Sequence, residues 1–345
     1  LMLLVVVTAL VVTPAVAETP RVHFTNVTDM AGIRFRHSFG DDHMSSILEA
    51  TGSGCAFFDA DQDGRIDLYA VSGGWLKGIS DDSTGTRHHE AVNRLFHNRG
   101  DGTFEDVTRT AGVGDAGYGM GAVAADYDND GAVDLYVTNY GTNRLLQNRG
   151  KGVFADVTSR SGTGDEEWGV GAVWLDQDLD GDLDLFVGNY LEFDPQYRLY
   201  YAADAFPGPL AYPGQTDVLY RNDGDGTFVD IAVEAGVAGV GRAMGVASAD
   251  VDADGWPDLF VANDAMGNFL YRNKGGAFEE VALSSGVAFS TNGDASSSMG
   301  ADFSDIDGDG DVDLFVPDMA YNNLYLNDGT GWFEDRTAVA GVAEV

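Results

Sequence analysis

Basic residues are scarce in this chain. Nineteen Lys and Arg face 56 Asp and Glu, giving a formal net charge of −37 at neutral pH. Such a surface repels nucleic acid and anionic membrane, so neither is an expected partner. Cysteine is nearly absent. The single Cys55 excludes an internal disulfide and, in a predicted buried strand, reads as an inert small core residue. No stretch sustains a helical period, so helices are expected to be minor. No G-x-S-x-G or P-loop is present, and Gly117-x-Gly119-x-Gly121 reads as a turn rather than a dinucleotide fingerprint. An enzyme is therefore not the expectation. One apolar run stands out, Leu1 to Val12, followed by Pro14 and Ala15-Val16-Ala17. It is short for a membrane span of about 20 residues and has the form of a signal-peptide core with an A-x-A site. Cleavage after Ala17 and export are expected, leaving no membrane span. The missing basic segment and Leu1 at the start suit a sequence that begins inside a signal peptide at residues 1–17.

What the chain has is aspartate and glycine in one ten-residue frame, written five times. The copies begin at Asp59, Asp126, Asp176, Asp250 and Asp305, each with Asp at positions 1, 3, 5 and 9, Gly at 6 and Leu at 10. Ca²⁺ takes 6–8 oxygen ligands at about 2.3–2.6 Å. Alternate side chains of a tightly curled loop converge on one point. The predicted ligands are thus Asp59, Asp61, Asp63 and Asp67; Asp126, Asp128, Asp130 and Asp134; Asp176, Asp178, Asp180 and Asp184; Asp250, Asp252, Asp254 and Asp258; and Asp305, Asp307, Asp309 and Asp313. The backbone carbonyl of position 7 adds one oxygen per loop, from Arg65, Ala132, Asp182, Trp256 and Asp311. Gly at position 6 permits the sharp turn. Two carboxylates about 5 Å apart repel by roughly 3 kcal/mol at an effective dielectric near 20, so an empty loop should splay. Five bound Ca²⁺ contribute +10 and still leave −27. The frame is not an EF-hand, because position 12 is Ala70, Val137, Val187, Val261 or Val316 instead of Glu.

The repeat is larger than the loop. A small-residue strand A precedes each loop, from Gly54, Gly121, Gly171, Gly245 and Gly300, and strand B follows it. Strand C carries Asn-x-Leu-x-x-Asn, as in Asn93/Leu95/Asn98 and Asn143/Leu145/Asn148, with Asp217 replacing the first Asn once. After a Gly-rich hairpin comes strand D, Phe-x-x-Val or Ile, decaying to Phe333/Arg336 in the last copy. Four short antiparallel strands per repeat predict an all-β fold, a β-propeller of four-stranded blades. Its blades fall at about 51–113, 118–163, 168–238, 242–287 and 298–345 of a domain spanning 22–345. Phe24-Thr25-Asn26-Val27 reads as an orphan outer strand. It either completes a six- or seven-bladed ring whose remaining strands lie beyond Val345 or packs as an extra edge strand.

At these residues the chain resembles the FG-GAP/VCBS repeat family, that is, integrin-α-like propellers and the ASPIC/UnbV or cartilage acidic protein-like group. The likeness covers residues 22–345 through the five D-x-D-x-D-G-x-x-D-L loops and the F-x-D-V-T strands. It implies a Ca²⁺-loaded propeller with roles in adhesion or in matrix and surface interaction. The expectation is an exported, non-catalytic scaffold, secreted, periplasmic or at the cell surface, that binds protein or surface polysaccharide and holds about five Ca²⁺. Two alternatives remain open. The insertion Leu191–Thr216, with Tyr197, Tyr200, Tyr201 and Tyr212, would stack on sugars or instead form a packed lid. A periplasmic enzyme acting on polysaccharide would need an acid–base cluster on the channel face. The insertion Leu76–Ala91, with His88-His89-Glu90, reads as a solvated polar loop, and Trp75 and Trp168 as structural.

Overall fold

The fold repeats one hairpin rule. A computed structural model describes residues 23–40, 44–80, 91–197, 206–290 and 292–343. The expected signal peptide, His88-His89-Glu90, and Tyr200 with Tyr201 lie outside the described residues. Each strand A ends opposite position 9 of its own loop. Phe58 pairs with Asp67, Ala125 with Asp134, Leu175 with Asp184, Ala249 with Asp258 and Ser304 with Asp313. Loop positions 1 to 8 are thus the connection of an antiparallel hairpin.

Five four-stranded antiparallel sheets result among the described residues, each in the order A-B-C-D. Sheet one is Cys55–Phe58, Asp67–Ala70, Arg94–Asn98 and Phe104–Asp106. Sheet two is Tyr118–Ala125, Asp134–Tyr140, Arg144–Asn148 and Phe154–Asp156. Sheet three is Gly169–Leu175, Asp184–Asn189, Val218–Asn222 and Phe228–Asp230. Sheet four is Ala243–Ala249, Asp258–Asn263, Phe269–Asn273 and Phe278–Glu280. Sheet five is Asp302–Ser304, Asp313–Val316, Asn323–Asn327 and Phe333–Asp335. A two-stranded ribbon, Gln215–Thr216 with Val240–Gly241, joins the insertion to sheet four. After each strand D comes a single helical turn closed by a left-handed glycine, such as Thr108–Ala111 with Gly112 at φ +76°. The arrangement is all-β and propeller-like.

Packing runs from sheet to sheet. Strand period 2 sends alternate residues to opposite faces. Ala56 and Phe58 of sheet one meet Leu135, Val137, Ala122 and Ala124 of sheet two. The same exchange recurs at each later junction, as Val173, Leu175 and Phe186 against Val246, Leu259 and Val261 show. The inner strands come close enough to require glycine. A Cβ on Gly245 would lie 2.5 Å from Gly300 Cα, and one on Gly121 would lie 2.7 Å from the Val170 carbonyl oxygen.

Two expectations need correction. Cys55 is exposed. It shares a face with Phe57, the face that every later sheet turns toward its predecessor, and no described sheet precedes sheet one. The apolar pattern of strand A was legible, but not which face lacks a neighbour. Second, Phe24–Val27 forms no strand, and Phe24 is 96% exposed. An outer strand needs a strand C beside it, and none is present among the described residues. The turn after it does form. Ala31 N–H donates to Val27 O at 2.7 Å, as Ala111 does to Val107 at 2.9 Å. Gly32 abuts the Phe104 carbonyl just as Gly112 abuts that of Phe154.

Gly245→Ala is expected to lower stability by about 1–3 kcal/mol through overpacking. Gly54→Ala, whose Cβ would meet Gly121 Cα at an ordinary 3.4 Å, should cost much less. Urea unfolding midpoints of the two variants compare them directly. Asp217 supplies a second test. Its Oδ1 accepts the Asn189 N–H at 2.9 Å, the bond that Asn93, Asn143 and Asn268 make in their own sheets. Complete burial raises its carboxyl well above the ordinary range. The folded state therefore holds a proton that the unfolded chain releases near pH 4, and stability falls as pH rises above that. Asp217→Asn should stabilise the protein at pH 8, with a smaller gain at pH 5. Equal gains at both values would contradict a neutral Asp217.

Candidate metal centres

Each loop is held in shape by its own backbone. The carboxylate at position 1 accepts two N–H groups in the first four loops. Asp59 takes those of Asp63 and Gly64 at 3.1 and 2.8 Å, and Asp126 those of Asp130 and Gly131 at 3.0 and 2.9 Å. Asp176 and Asp250 repeat the pattern. Position 5 then accepts the N–H of position 7, as Asp63 does from Arg65 at 2.9 Å and Asp254 from Trp256 at 2.9 Å. The fifth loop differs: Asp305 takes Gly308 N–H at 2.7 Å and Gly310 N–H at 3.2 Å, and the Asp309 N–H goes to Asp307 at 3.2 Å. Position 4 is left-handed in every loop. Gln62, Asn129, Leu179 and Ala253 sit at φ +56° to +64°, and only the fifth loop places glycine there, Gly308. The fixed Gly at position 6 announced one left-handed residue; its neighbour at 4 gave no sign in four of the five copies.

Position 9 does more than close the site. Asp67, Asp134, Asp184, Asp258 and Asp313 are at most 1% exposed. One oxygen of each accepts the N–H of position 2, at 3.0 Å for Ala60 and 3.2 Å for Tyr127. The other accepts the N–H of the last Asn of strand C, at 2.7 Å for both Asn98 and Asn148. Burial, more than the neighbouring carboxylates, pushes Asp134 and Asp184 up to about 7 and Asp258 to about 6.

The residues fit a hard divalent cation. One oxygen from each of Asp126, Asp128 and Asp134 lies within 4.8 Å of the others, and Asp176, Asp178 and Asp184 converge likewise. So do Asp59, Asp61 and Asp63, and Asp250, Asp252 and Asp254. At position 3 the Oδ1 atoms of Asp61, Asp128, Asp178 and Asp252 are buried and make no hydrogen bond. A buried carboxylate oxygen without a donor is costly, and a cation in the loop would satisfy it. An all-oxygen donor set suits Ca²⁺.

Sequence reasoning found the last Asn of strand C as a spacing and missed its work. Asn148 Nδ2 donates to Val133 O of its own loop at 3.0 Å and to Ala60 O of the preceding loop at 2.8 Å. Asn222, Asn273 and Asn327 bridge in the same way, reaching Tyr127, Gln177 and Val251 at 2.7–2.9 Å. Asn98 makes only the bond to its own loop, to Ile66 O at 3.0 Å. The loops are therefore stitched to one another through these amides.

The tyrosine-rich insertion divides. Tyr212 is 4% exposed and packs with Trp168, Tyr190, Ile47 and Leu48. Phe193 and Tyr197 lie against it, with ring centroids at 5.7 and 5.9 Å. Tyr212 is thus core, which corrects its reading as a ligand contact: the aromatics of the insertion find one another before they find solvent. Tyr197 remains 45% exposed. Trp168 is buried, as expected of a structural residue.

The FG-GAP-like repeat family matches four stretches, 59–137, 126–187, 210–261 and 250–316, each running from one repeat into the next. The chain belongs to the FG-GAP-like repeat family. Among curated members of related sequence, cartilage acidic protein 1 of Homo sapiens is 51% identical over 49 residues, 14% of this chain and 7% of that protein. Its Mus musculus counterpart is 47% identical over 49 residues, 14% of this chain and 8% of that protein. The match spans less than a tenth of either relative. Among solved structures, this FG-GAP chain is similar to a lectin of Agrocybe aegerita that recognises non-reducing terminal N-acetylglucosamine. The TM-score is 0.44 at 17% identity, over 82% of this chain and 66% of that one. It is also similar to the V. cholerae biofilm matrix protein Bap1, with TM-score 0.44 and 14% identity over 82% of this chain and 38% of that one.

Asn273→Ala removes both amide bonds and is expected to cost about 2 kcal/mol, at roughly 0.5–1.5 kcal/mol per bond. Asn98→Ala, which makes no bridge to a preceding loop, should cost less by about one hydrogen bond, roughly 1 kcal/mol. Chemical denaturation of the two variants gives the comparison, and equal losses would argue against the stitch.

Proposed function

We propose that this FG-GAP protein is an exported, Ca²⁺-stabilised propeller that serves as a non-catalytic scaffold for binding proteins or surface polymers. One observation carries the metal reading: the same loop geometry recurs five times, and four loops leave a buried position-3 oxygen without a donor. In each loop the carboxylates at positions 1, 3 and 5 and the position-7 carbonyl would hold the ion, with the buried position-9 carboxylate beside it. The ion would supply positive charge that offsets the carboxylates and fixes strands A and B. It has no other chemistry in this proposal. The binding role is supported by family membership and by the acidic surface, which favours cationic or cation-bridged partners. Export is supported by the apolar leader read in the sequence and by weak extracellular calcium modules, which have Kd of order 10⁻⁴–10⁻³ M and fill only where calcium is abundant. Among the described residues no helix is long and apolar enough to cross a membrane.

At 10 mM, Ca²⁺ would be about 10–100 Kd, and each loop should contribute roughly 1.4–2.7 kcal/mol. Calorimetry in EDTA and in 10 mM Ca²⁺ is expected to show a large rise in Tm with the metal. The metal-free protein should also lose stability as pH rises from 5 to 8. The folded chain retains protons on Asp134, Asp184 and Asp258 that the unfolded chain releases near pH 4. The gain from Ca²⁺ should therefore widen with pH. A Tm unmoved by chelation at any pH would overturn the metal reading.

A further inference from the structure

The five loops share their aspartates but not the strand C side chain that faces them. The residue before the last Asn is His97, Gln147, Arg221, Arg272 and Leu326 in turn. We propose that this side chain grades the sites, and that Arg272 makes the loop of sheet four a weaker Ca²⁺ site than the loops of sheets two, three and five. The proposal rests on the calcium reading above.

Arg272 reaches into its loop. Its Nε lies 3.1 Å from Asp252 Oδ2, the position-3 carboxylate, whose side chain is only 14% exposed. Its Nη2 donates to Thr330 O at 2.6 Å, on the C–D hairpin of sheet five. The guanidinium is thus held by its hydrogen bond to Thr330 and faces the Asp252 carboxylate as an ion pair, without a hydrogen bond from Nε. An entering Ca²⁺ must displace this guanidinium or accept a like charge beside it.

Sheet three shows that an arginine at this place is not enough. Arg221 pairs with Asp223 two residues on, at 2.9 Å, and makes no ion pair with Asp178 among the described residues. The residue equivalent to Asp223 in sheet four is Lys274, itself paired with Glu279. An acid there draws Arg221 away from the loop, whereas a base there leaves Arg272 to the loop. The facing group is neutral in sheet two, where the Gln147 amide donates to Asp128, and apolar in sheet five, where Leu326 offers no donor; sheet one stands apart, with His97 Nδ1 3.3 Å from both Asp61 and Asp67 and an Arg65–Asp63 ion pair inside its loop.

Trp256 occupies position 7 of the sheet-four loop, so terbium luminescence excited through tryptophan reports that site. A Trp256→Phe control assigns the signal. In titrations of the whole chain, Tb³⁺ displaced by Ca²⁺ should show this site at least tenfold weaker for Ca²⁺ than the mean of the sites counted by calorimetric Ca²⁺ titration. Arg272→Leu, which copies sheet five, should remove that deficit. Because Arg272 also holds Thr330, Lys274→Asp provides a variant that keeps the arginine and draws it outward; it should tighten the same site by a similar factor. If the Trp256 site is as tight as the rest and neither variant moves it, the role of Arg272 is wrong while the calcium reading stands. If calorimetry detects no Ca²⁺ binding in the wild-type chain, the calcium reading itself fails.

Discussion

Everything in this fold is arranged around carboxylates crowded at one end of a hairpin. Four aspartates within nine residues repel, and each hairpin connection must offset that repulsion to exist. The backbone does part of it. Position 1 and position 9 each take two N–H groups, which turns the loop inward and holds strands A and B in register. In the first four loops one oxygen at position 3 is left over, buried and without a donor. Each of these loops is thus prearranged with one unmet demand for positive charge among converging carboxylates.

The invariant and variable positions of the frame follow from the same bonds. Position 2 serves the loop through its backbone: its N–H goes to position 9 and its carbonyl to the next sheet's Asn. Position 8 offers its carbonyl to the Asn of its own sheet, and position 7 its N–H to position 5. The loop bonds themselves ask for no particular side chain at position 2, and Ala60, Tyr127 and Val251 there pack into the apolar clusters between sheets. Position 10 is different. Leu135, Leu185, Leu259 and Leu314 are fully buried against the preceding sheet, whereas Leu68, with no described sheet before it, is only half-buried.

This explains which parts of the structure were legible in the sequence. Period-2 strands, fixed aspartates and the turn glycine are local signals, and they placed the hairpins and their loops. What depends on a neighbouring sheet was not visible. The exposed Cys55 and Phe57 look apolar and core-like in isolation, and only the absence of a preceding sheet bares them. The bridging role of Asn148, Asn222, Asn273 and Asn327 requires a carbonyl 76 to 96 residues earlier in the chain. Tyr212 carried an aromatic signal that suits a ligand surface and a packed cluster equally, and burial decided for the cluster. Left-handed Leu179 and Ala253 went unread because the strain belongs to the loop's closure and their side chains do not advertise it.

The bridging amides also couple the loops to one another. An Asn that holds its own loop's position-8 carbonyl and the preceding loop's position-2 carbonyl, while its N–H meets the position-9 carboxylate, touches three groups that an ion would order. Ordering one loop therefore restrains the amide that the adjoining loop uses. Repeat proteins gain stability from such nearest-neighbour terms. Here the term would pass through the candidate metal centres as well as through the apolar core, so filling one loop should favour the fold of the next. The two junction types then divide the labour. Apolar faces supply most of the contact between sheets, and the amide stitch fixes their relative height, which apolar packing alone leaves loosely specified.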